Sequence, residues 1–480
     1  MRKTRSGARF SPYEINPDVD FHQLIAQAFS HQSTDPAFDG FSDASPLSTP
    51  PLSRGSSRSS SPLPATTRSE PLGASSQPEP AQAQPRTAAD EAEPVPKSKP
   101  NHKKRQSKKN RGKKRKLEKI TGGCDANQPA PALKKKHVAS AQPEPTNLRF
   151  EDIRVAGNGF TGYHGRRSAP KKEYTLDEMV GPASRFKFRL IGWDGTYTMP
   201  VISPERRVVA VCLSNPDDPD WIPMTTRVAD KGEAARKQGK FNDKQKGGPR
   251  GRFSFFRAGV TFGMGMKKPA RQKQSSKANE EVVEELLRDP DVQRLAGFPS
   301  SAFSVWSPDL FGIYSKNRAE LLDNDPSLRF NFSNSVFAAV SFNLGPRTVT
   351  VEHADTSNRC DGFCAVTALS PTEDGYDYTT GGHLILWDLG LVIEFPPGST
   401  ILLPSAVFRH SNVAIGKKER RLSFTQYTSG GLFRWVERGF QTQTDYFAGL
   451  SDDEREEEEV KDAMRWKEAL QNFTKLDDIL

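Results

Sequence analysis

Between residues 335 and 428 the chain carries seven short runs rich in β-branched and aromatic side chains: SVFAAVSFNL, RTVTVEHA, CAVTALS, HLILWDL, LVIEF, STILLP and RRLSFTQYT. Each is the length of a strand, and Gly, Pro, Asp and Asn stand between them. Strands this short and this closely spaced leave no room for crossover helices. They therefore pair antiparallel and close into a sandwich or roll.

The strand signal extends upstream. RFKFRLIGWDGTYTMPVISPERRVVAVCL, from residue 185, breaks at GWDG and SPE turns, and RFSFFRAGVTFGMGM (252–266) resumes it. Glycines 259, 263 and 265 in that run are expected where backbone approaches closely. Between the two lies RVADKGEAARKQGKFNDKQKGGPRGR (227–252), basic, glycine-containing and aromatic-poor, which predicts a mobile loop. A helical section follows. ANEEVVEELLRD places Val282, Val283, Leu286 and Leu287 on one face. Asp289-Pro290 caps and opens a second short helix, closed by Gly297, and Ser307-Pro308 opens a third. The predicted class is mainly β with helices (α+β), a double-stranded β-helix, or jelly roll, with helices packed on one sheet.

Composition sets the limits of that domain. Hydrophobic residues are only 34% of the 480, so part of the chain lacks the means to bury a core. Residues 1–146 are that part, rich in Ser, Pro, Ala and charge, and predicted to be a disordered basic arm. FHQLIAQAF (21–29) is its one short helical pattern. The expected order is the arm, a linker at 147–182, the folded domain at 183–442, and an acidic helical tail at 443–480. In that tail Val460, Met464, Trp466 and Leu470 form a partial apolar stripe. Net charge is +10, which favours a polyanionic partner. NHKKRQSKKNRGKKRKLEK (101–119) sets eleven Lys and Arg against one Glu, the pattern of a nuclear import signal or nucleic-acid arm. Four cysteines make no disulfide framework, and no apolar run is long enough to span a membrane.

The chemistry sits at VEHADTSN (351–358). On an extended segment residues i and i+2 share a face, so His353 and Asp355 project together. FRHSN adds His410, and RRLSFTQYT adds Arg421. On that last strand Arg421, Ser423, Thr425 and Tyr427 share one face, Leu422 and Phe424 the other. Two histidines and one carboxylate are the ligand set of non-haem Fe(II) oxygenases. An arginine facing the inside of a roll needs an anion, because an unpaired buried charge is costly. A dicarboxylate co-substrate held by a bidentate salt bridge would supply one.

These stretches, with GGHLILWDLGLVIEFPPGSTILLPSAVFRHSN and RRLSFTQYTSGGLFRWVERGF, resemble the TET/JBP-like 2-oxoglutarate/Fe(II) dioxygenases of mushroom-forming fungi, which often lie beside transposable elements. The resemblance covers about 183–442. It implies Fe(II) on His353, Asp355 and His410, and 2-oxoglutarate on Arg421 and Ser423 with O2 as the other co-substrate. It further implies oxidation of the methyl group of 5-methylcytosine in DNA after base flipping. DNA backbone contacts from 101–119 and 227–252, an import receptor and a nuclear location complete that reading; no membrane is involved, and the oligomeric state is open. The alternatives are a 2-oxoglutarate oxygenase acting on N6-methyladenine, thymine, RNA, protein or a small molecule, and a non-catalytic transposon-derived DNA-binding protein.

Other candidates are weaker. His383 in GGHLILW begins a strand, and His410 already fills the third ligand position. Arg420 points away from Arg421. Cys360-x-x-x-Cys364 lacks the second pair that structural zinc needs. Phe433 and Trp435 are read as aromatics closing the core.

Overall fold

The computed structural model describes residues 2–3, 9–10, 131–165 and 172–480. The arm at 101–119 and the 21–29 pattern lie outside the described residues, as does nearly all of the segment expected to be disordered. The chain divides into two units, 1–99 and 100–480. In the first, Arg2–Lys3 (β1) pairs antiparallel with Arg9–Phe10 (β2). The second holds the remaining strands: β3 (Glu144–Pro145), β4 (Arg189–Ile191), β5 (Met199–Ile202), β6 (Val208–Leu213), β7 (Phe255–Thr261), β8 (Ala270–Arg271), β9 (Ala339–Asn343), β10 (Cys364–Leu369), β11 (Leu384–Leu386), β12 (Leu391–Ile393), β13 (Thr400–Leu403), β14 (His410–Asn412) and β15 (Leu422–Tyr427).

A nine-stranded sheet runs β3-β5-β6-β13-β10-β15-β9-β7-β8, and a four-stranded sheet runs β14-β11-β12-β4. In the first, β9 pairs with β15, β15 with β10 and β10 with β13, all antiparallel. In the second, β14 pairs with β11 and β11 with β12. The extended segment 348–353 joins β14 through the His353–His410 bridge. Counted from β9 in chain order, with 348–353 second, the segments alternate between sheets as 1-8-3-6 over 2-7-4-5. That is the connectivity of a jelly roll, as the strand pattern predicted. TVTVEH is extended but forms no regular ladder. One side meets only the three-residue β14, and the other meets a loop, through the Val351 N–H donating to the Arg250 carbonyl at 2.9 Å.

The helices of this unit are α1 (Pro131–Ala139), α2 (Leu176–Met179), α3 (Trp221–Gln238), α4 (Asp243–Lys246), α5 (Lys277–Arg288), α6 (Pro290–Trp306), α7 (Pro308–Asn324), α8 (Gly430–Glu437), α9 (Gln443–Ala448), α10 (Asp452–Ala469) and α11 (Leu476–Ile479). The expected starts hold. Asp289 caps α6 by accepting from the Asp291 and Val292 N–H groups, with Pro290 in the first turn. Its expected stop does not: α6 runs through Gly297 and Pro299 to Trp306. Gly297 is an interior packing position, where a Cβ would lie 2.4 Å from the Asn334 amide nitrogen.

The basic stretch 227–252 is not a mobile loop. Its first half is α3. Trp221, Met224, Val228, Ala229 and Ala235 form the buried stripe, and three of these lie inside the stretch. Gly232, which suggested a loop, lets the helix lie against the sheet: a Cβ there would sit 2.8 Å from Leu422 Cδ2. With α5 and α6, α3 covers Phe342, Leu422 and Phe424 on the outer face of the large sheet.

The expected domain limits are also too narrow. Val138, Leu148, Phe150 and Phe160 are buried in the main core, so residues well before 183 belong to the fold. Tyr174 and Met179, within the expected linker, pack on Ile385, Trp387, Val392 and Val413 over the outer face of the small sheet. The acidic tail returns too. Phe473 and Leu476 enter the main core, and Trp466 and Leu470 pack against it. Val460 and Met464 of the same stripe stay exposed. Among the described residues no helix is long and apolar enough to cross a membrane.

Candidate metal centre

His353 and His410 face each other because their backbones are locked. The His353 N–H donates to the His410 carbonyl at 3.1 Å, and the His410 N–H returns to the His353 carbonyl at 2.8 Å. The imidazole centroids lie 4.3 Å apart. Each ring is then turned by the carbonyl two residues before it. Nδ1 of His353 lies 2.8 Å from the Val351 oxygen, and Nδ1 of His410 lies 3.0 Å from that of Phe408. Each Nδ1–H donates there, which puts the lone pair on Nε2. Such an outer hydrogen bond fixes the tautomer of a metal-ligating histidine.

Asp355 supplies the third group. Its carboxylate oxygens are 3.8 Å from His353 Nε2 and 4.0 Å from His410 Nε2. All three ligand atoms lie within 4.8 Å of one another. An ion with bonds of about 2.1 Å holds adjacent ligands about 3 Å apart, so modest closure completes the set. Buried Oδ1 of Asp355 has no hydrogen-bond partner, although Arg250 Nη2 approaches it to 2.5 Å. That approach is an ion pair without hydrogen-bond direction, and the oxygen keeps a lone pair for a metal. Burial, and then repulsion from His410, push the His353 imidazole down and keep it neutral. Burial alone would raise Asp355, but Arg250 and the two imidazoles outweigh it and hold the carboxyl well below its usual range. A neutral imidazole and an ionised carboxylate, with the second imidazole facing them, suit a divalent transition metal.

Arg421 stands just before β15 on the inner face of the roll and is 1% exposed. Its Nη1 donates to the Thr348 carbonyl at 2.8 Å. Its Nε and Nη2 have no hydrogen-bond partner. No carboxylate pairs with it among the described residues; the Tyr376 and Phe395 rings lie 5.5 and 5.6 Å from its guanidinium carbon. Burial lowers its pKa, as expected of a cation without a counter-ion. Ser423, two residues on, accepts from Asn343 Nδ2 at 3.0 Å. Arg420, by contrast, faces Glu233, Glu373 and Asp374 on the outer side. The expected alternation of this strand is what the structure has.

No protein-family model matches the chain. No curated protein matches it either. Among solved structures it is similar to NgTET1 in complex with 5mC DNA, at 15% identity and a TM-score of 0.36, over 51% of this chain and 83% of that one. It is similar to an oxidoreductase of the 2OG-Fe(II) oxygenase family from Burkholderia pseudomallei, at 15% identity and a TM-score of 0.24, over 42% and 77%. A dioxygenase for auxin oxidation in rice gives 10% identity and a TM-score of 0.24, over 46% and 74%.

The other sequence candidates fall where their chemistry allows. His383 is fully buried outside the metal group, and burial lowers its pKa to about 4. Cys360 and Cys364 are buried free thiols. Phe433 and Trp435 close hydrophobic clusters. Sequence reasoning missed Arg250, whose loop position gave no period to read. It also missed the wall formed by residues 147–165. Together with His353, Ala406 and Arg409 that wall encloses a cavity of about 690 Å³. His164 Nδ1 lies 2.9 Å from the hydroxyl of Thr356, beside Asp355, and ties the wall to the site.

Proposed function

We propose that this protein is an Fe(II)- and 2-oxoglutarate-dependent dioxygenase that oxidises the methyl group of 5-methylcytosine in DNA. The observation that carries the oxygenase reading is one roll interior holding two unlike sites. Three metal-competent ligands converge, and a buried arginine lacks an acid. His353 and His410 would hold Fe(II) through Nε2, and Asp355 through its carboxylate. Arg421 would take the distal carboxylate of 2-oxoglutarate, with Ser423 beside it. When bound, iron, 2-oxoglutarate and O2 together supply oxidation of an unreactive C–H bond. The chain's part is to orient the two acids and keep water from the chamber.

The substrate assignment rests on the sequence resemblance and on the basic balance of the chain. A base within a duplex cannot reach a centre inside a roll, so the target nucleotide is flipped out. The arm at 101–119 supplies nuclear import and backbone contacts. In 227–252 the exposed Lys237, Lys240 and Lys246 supply further contacts. The test is anaerobically iron-loaded protein on duplexes carrying 5-methylcytosine or 6-methyladenine, read by nucleoside mass spectrometry and succinate release. Oxidised 5-methylcytosine is expected. Oxidation of the adenine instead would move the substrate and keep the chemistry.

A further inference from the structure

Strand β7 reads Phe255-Phe256-Arg257-Ala258-Gly259-Val260-Thr261. Phe256 and Ala258 belong to the cluster under the helices. By alternation, Arg257 projects from the opposite face, the inside of the roll. The register extends this assignment across the sheet. Arg257 stands opposite Ser341 in β9, and Ser341 stands opposite Thr425 in β15. Thr425 shares its face with Arg421, four residues earlier. A row of donors, Arg257–Ser341–Thr425, therefore crosses the inner face of the large sheet.

Arg257 has no employment within the fold. Its guanidinium makes no ion pair and no side-chain hydrogen bond among the described residues; it lies over the Phe255 ring, 4.8 Å from the centroid. The charges of Arg250, Tyr427 and Asp355 reach it, so it faces the same interior as the metal ligands. Arg250 is already committed to Asp355. The inner face and its rim therefore carry three guanidiniums, of which only Arg250 is paired with a carboxylate. A divalent ion and a dicarboxylate cancel one another, and Asp355 balances one arginine. Two positive charges are left over, and beside a neutral substrate the one on half-buried Arg257 would lack a partner.

We propose that Arg257 is a substrate-recognition residue that binds a phosphate of the methylated nucleotide, so the enzyme acts on phosphate-bearing substrates and discriminates against the bare nucleoside. The inference rests on the oxygenase reading above and names the chemistry of its substrate. A free nucleotide and a nucleic-acid strand both offer that phosphate.

The experiment compares the iron-loaded full chain, Arg257→Ala and Arg257→Lys, on 5-methyl-2′-deoxycytidine, its 5′-monophosphate and a methylated oligonucleotide. Oxidised product and succinate are both measured, and thermal melting checks that each variant folds. Binding of a fluorescein-labelled oligonucleotide and its competition by the monophosphate and the nucleoside are followed by anisotropy on manganese-loaded protein. The native chain should prefer phosphate-bearing substrate by about 10- to 100-fold, the worth of a hydrogen bond to a charged group. Arg257→Ala should collapse that preference through KM, and Arg257→Lys should restore part of it. The KM for 2-oxoglutarate and succinate formation without nucleic acid should stay unchanged. A monophosphate that matches the oligonucleotide makes free nucleotide the source; an oligonucleotide alone makes it the strand. A raised 2-oxoglutarate KM in Arg257→Ala, or no phosphate preference in the native chain, would overturn the proposal. If the native chain forms no succinate under any condition, the oxygenase reading fails instead, and the anisotropy comparison alone then decides whether Arg257 binds phosphate.

Discussion

Arg421 and Arg438 are both 1% exposed, and both lie among aromatic rings. Arg438 sits where the C-terminal helices meet the roll. Its guanidinium carbon lies 4.8 to 5.8 Å from the rings of Phe160, Tyr446 and Phe447, and its Nη2 donates to Asp462 at 2.9 Å. Arg421 has similar rings and no acid. The difference separates a cation that the fold uses from one that it stores. A paired buried arginine belongs to the architecture, whereas an unpaired one is retained against its desolvation cost, which is understandable where a ligand supplies the missing charge.

The sharpest way to break this comparison is to remove what the stored cation serves. His353→Ala, Asp355→Ala and His410→Ala should each reduce Fe(II)-dependent turnover to background and abolish tight metal binding by calorimetry, with the fold retained by circular dichroism. If His383→Leu removes the metal while His410→Ala keeps it, the ligand assignment is wrong. Next come the two arginines. Arg421→Ala should weaken 2-oxoglutarate by two to four decades, since breaking a buried ion pair costs about 3–5 kcal/mol. In the free protein, Arg421→Met should leave stability unchanged or raise it, because no charged partner is abandoned and relief of the buried cation offsets the one hydrogen bond lost to the Thr348 carbonyl. Arg438→Met should do the reverse. It removes one of two arginines on Asp462, whose other oxygen accepts from Arg465 Nη2 at 3.0 Å, so it should lower unfolding free energy by about 1.5–3 kcal/mol, the worth of a hydrogen bond to a charged group, while activity per folded molecule stays constant. Equal stability losses in both variants would erase the distinction.

His383 sharpens the same contrast, because it is buried without partners but can discard its charge. Neither ring nitrogen has a hydrogen-bond partner. Burial lowers its pKa to about 4, with the Gly381 backbone and Asp377 opposing. An unfolded histidine takes its proton near pH 6.5. As pH falls below that, the unfolded chain gains a proton that the folded chain refuses, so stability is full above about 6.5 and declines until about 4. The loss amounts to about 3 kcal/mol for this group. His383→Leu should remove that part of the slope, seen as a smaller drop in urea midpoint between pH 7 and pH 4. An unaltered slope would mean that the ring is protonated or solvated in the fold.

What could be read from the sequence followed the reach of its signals. Period-two runs carry the roll and the faces of β15, so alternation alone separates Arg421 from Arg420. The spacing of His353 and Asp355 survived although the segment carrying them is no regular strand, because extended backbone alone sets the alternation. β14 was not legible: His410–Asn412 is three residues without an apolar side chain, and its partners hold it. The helix α3 was lost because a window opened at 227 cuts off Trp221 and Met224, and because Gly232 reads as a breaker when its role is close packing. The walls at 131–182 and 443–480 were lost because their anchors, Phe150, Phe160, Phe473 and Leu476, are isolated apolar residues whose burial depends on distant partners.

The basic stretch carries the smallest expected effect and divides along the same line as the two arginines. Arg227 pairs with Asp220 and Asp291, and Lys231 with Asp289 and Asp291. Arg236 pairs with Glu233. These cations are balanced, on a helix that covers the outer face of the large sheet. Lys237, Lys240 and Lys246 are exposed and form no ion pair among the described residues. If the stretch touches DNA, those three are the contacts. Changing them together to Gln should weaken binding for all sequences alike and lower the log–log salt slope by about 0.9 per phosphate released on duplex DNA. Changing Arg227 and Lys231 should instead loosen α3 from α6 by about 1 kcal/mol or less, as for other exposed pairs, and leave the slope in place. A slope that follows Arg227 and Lys231, or that ignores all five, would show that pairing in the free protein does not sort these cations. Contact with DNA would then fall to the segments outside the described residues.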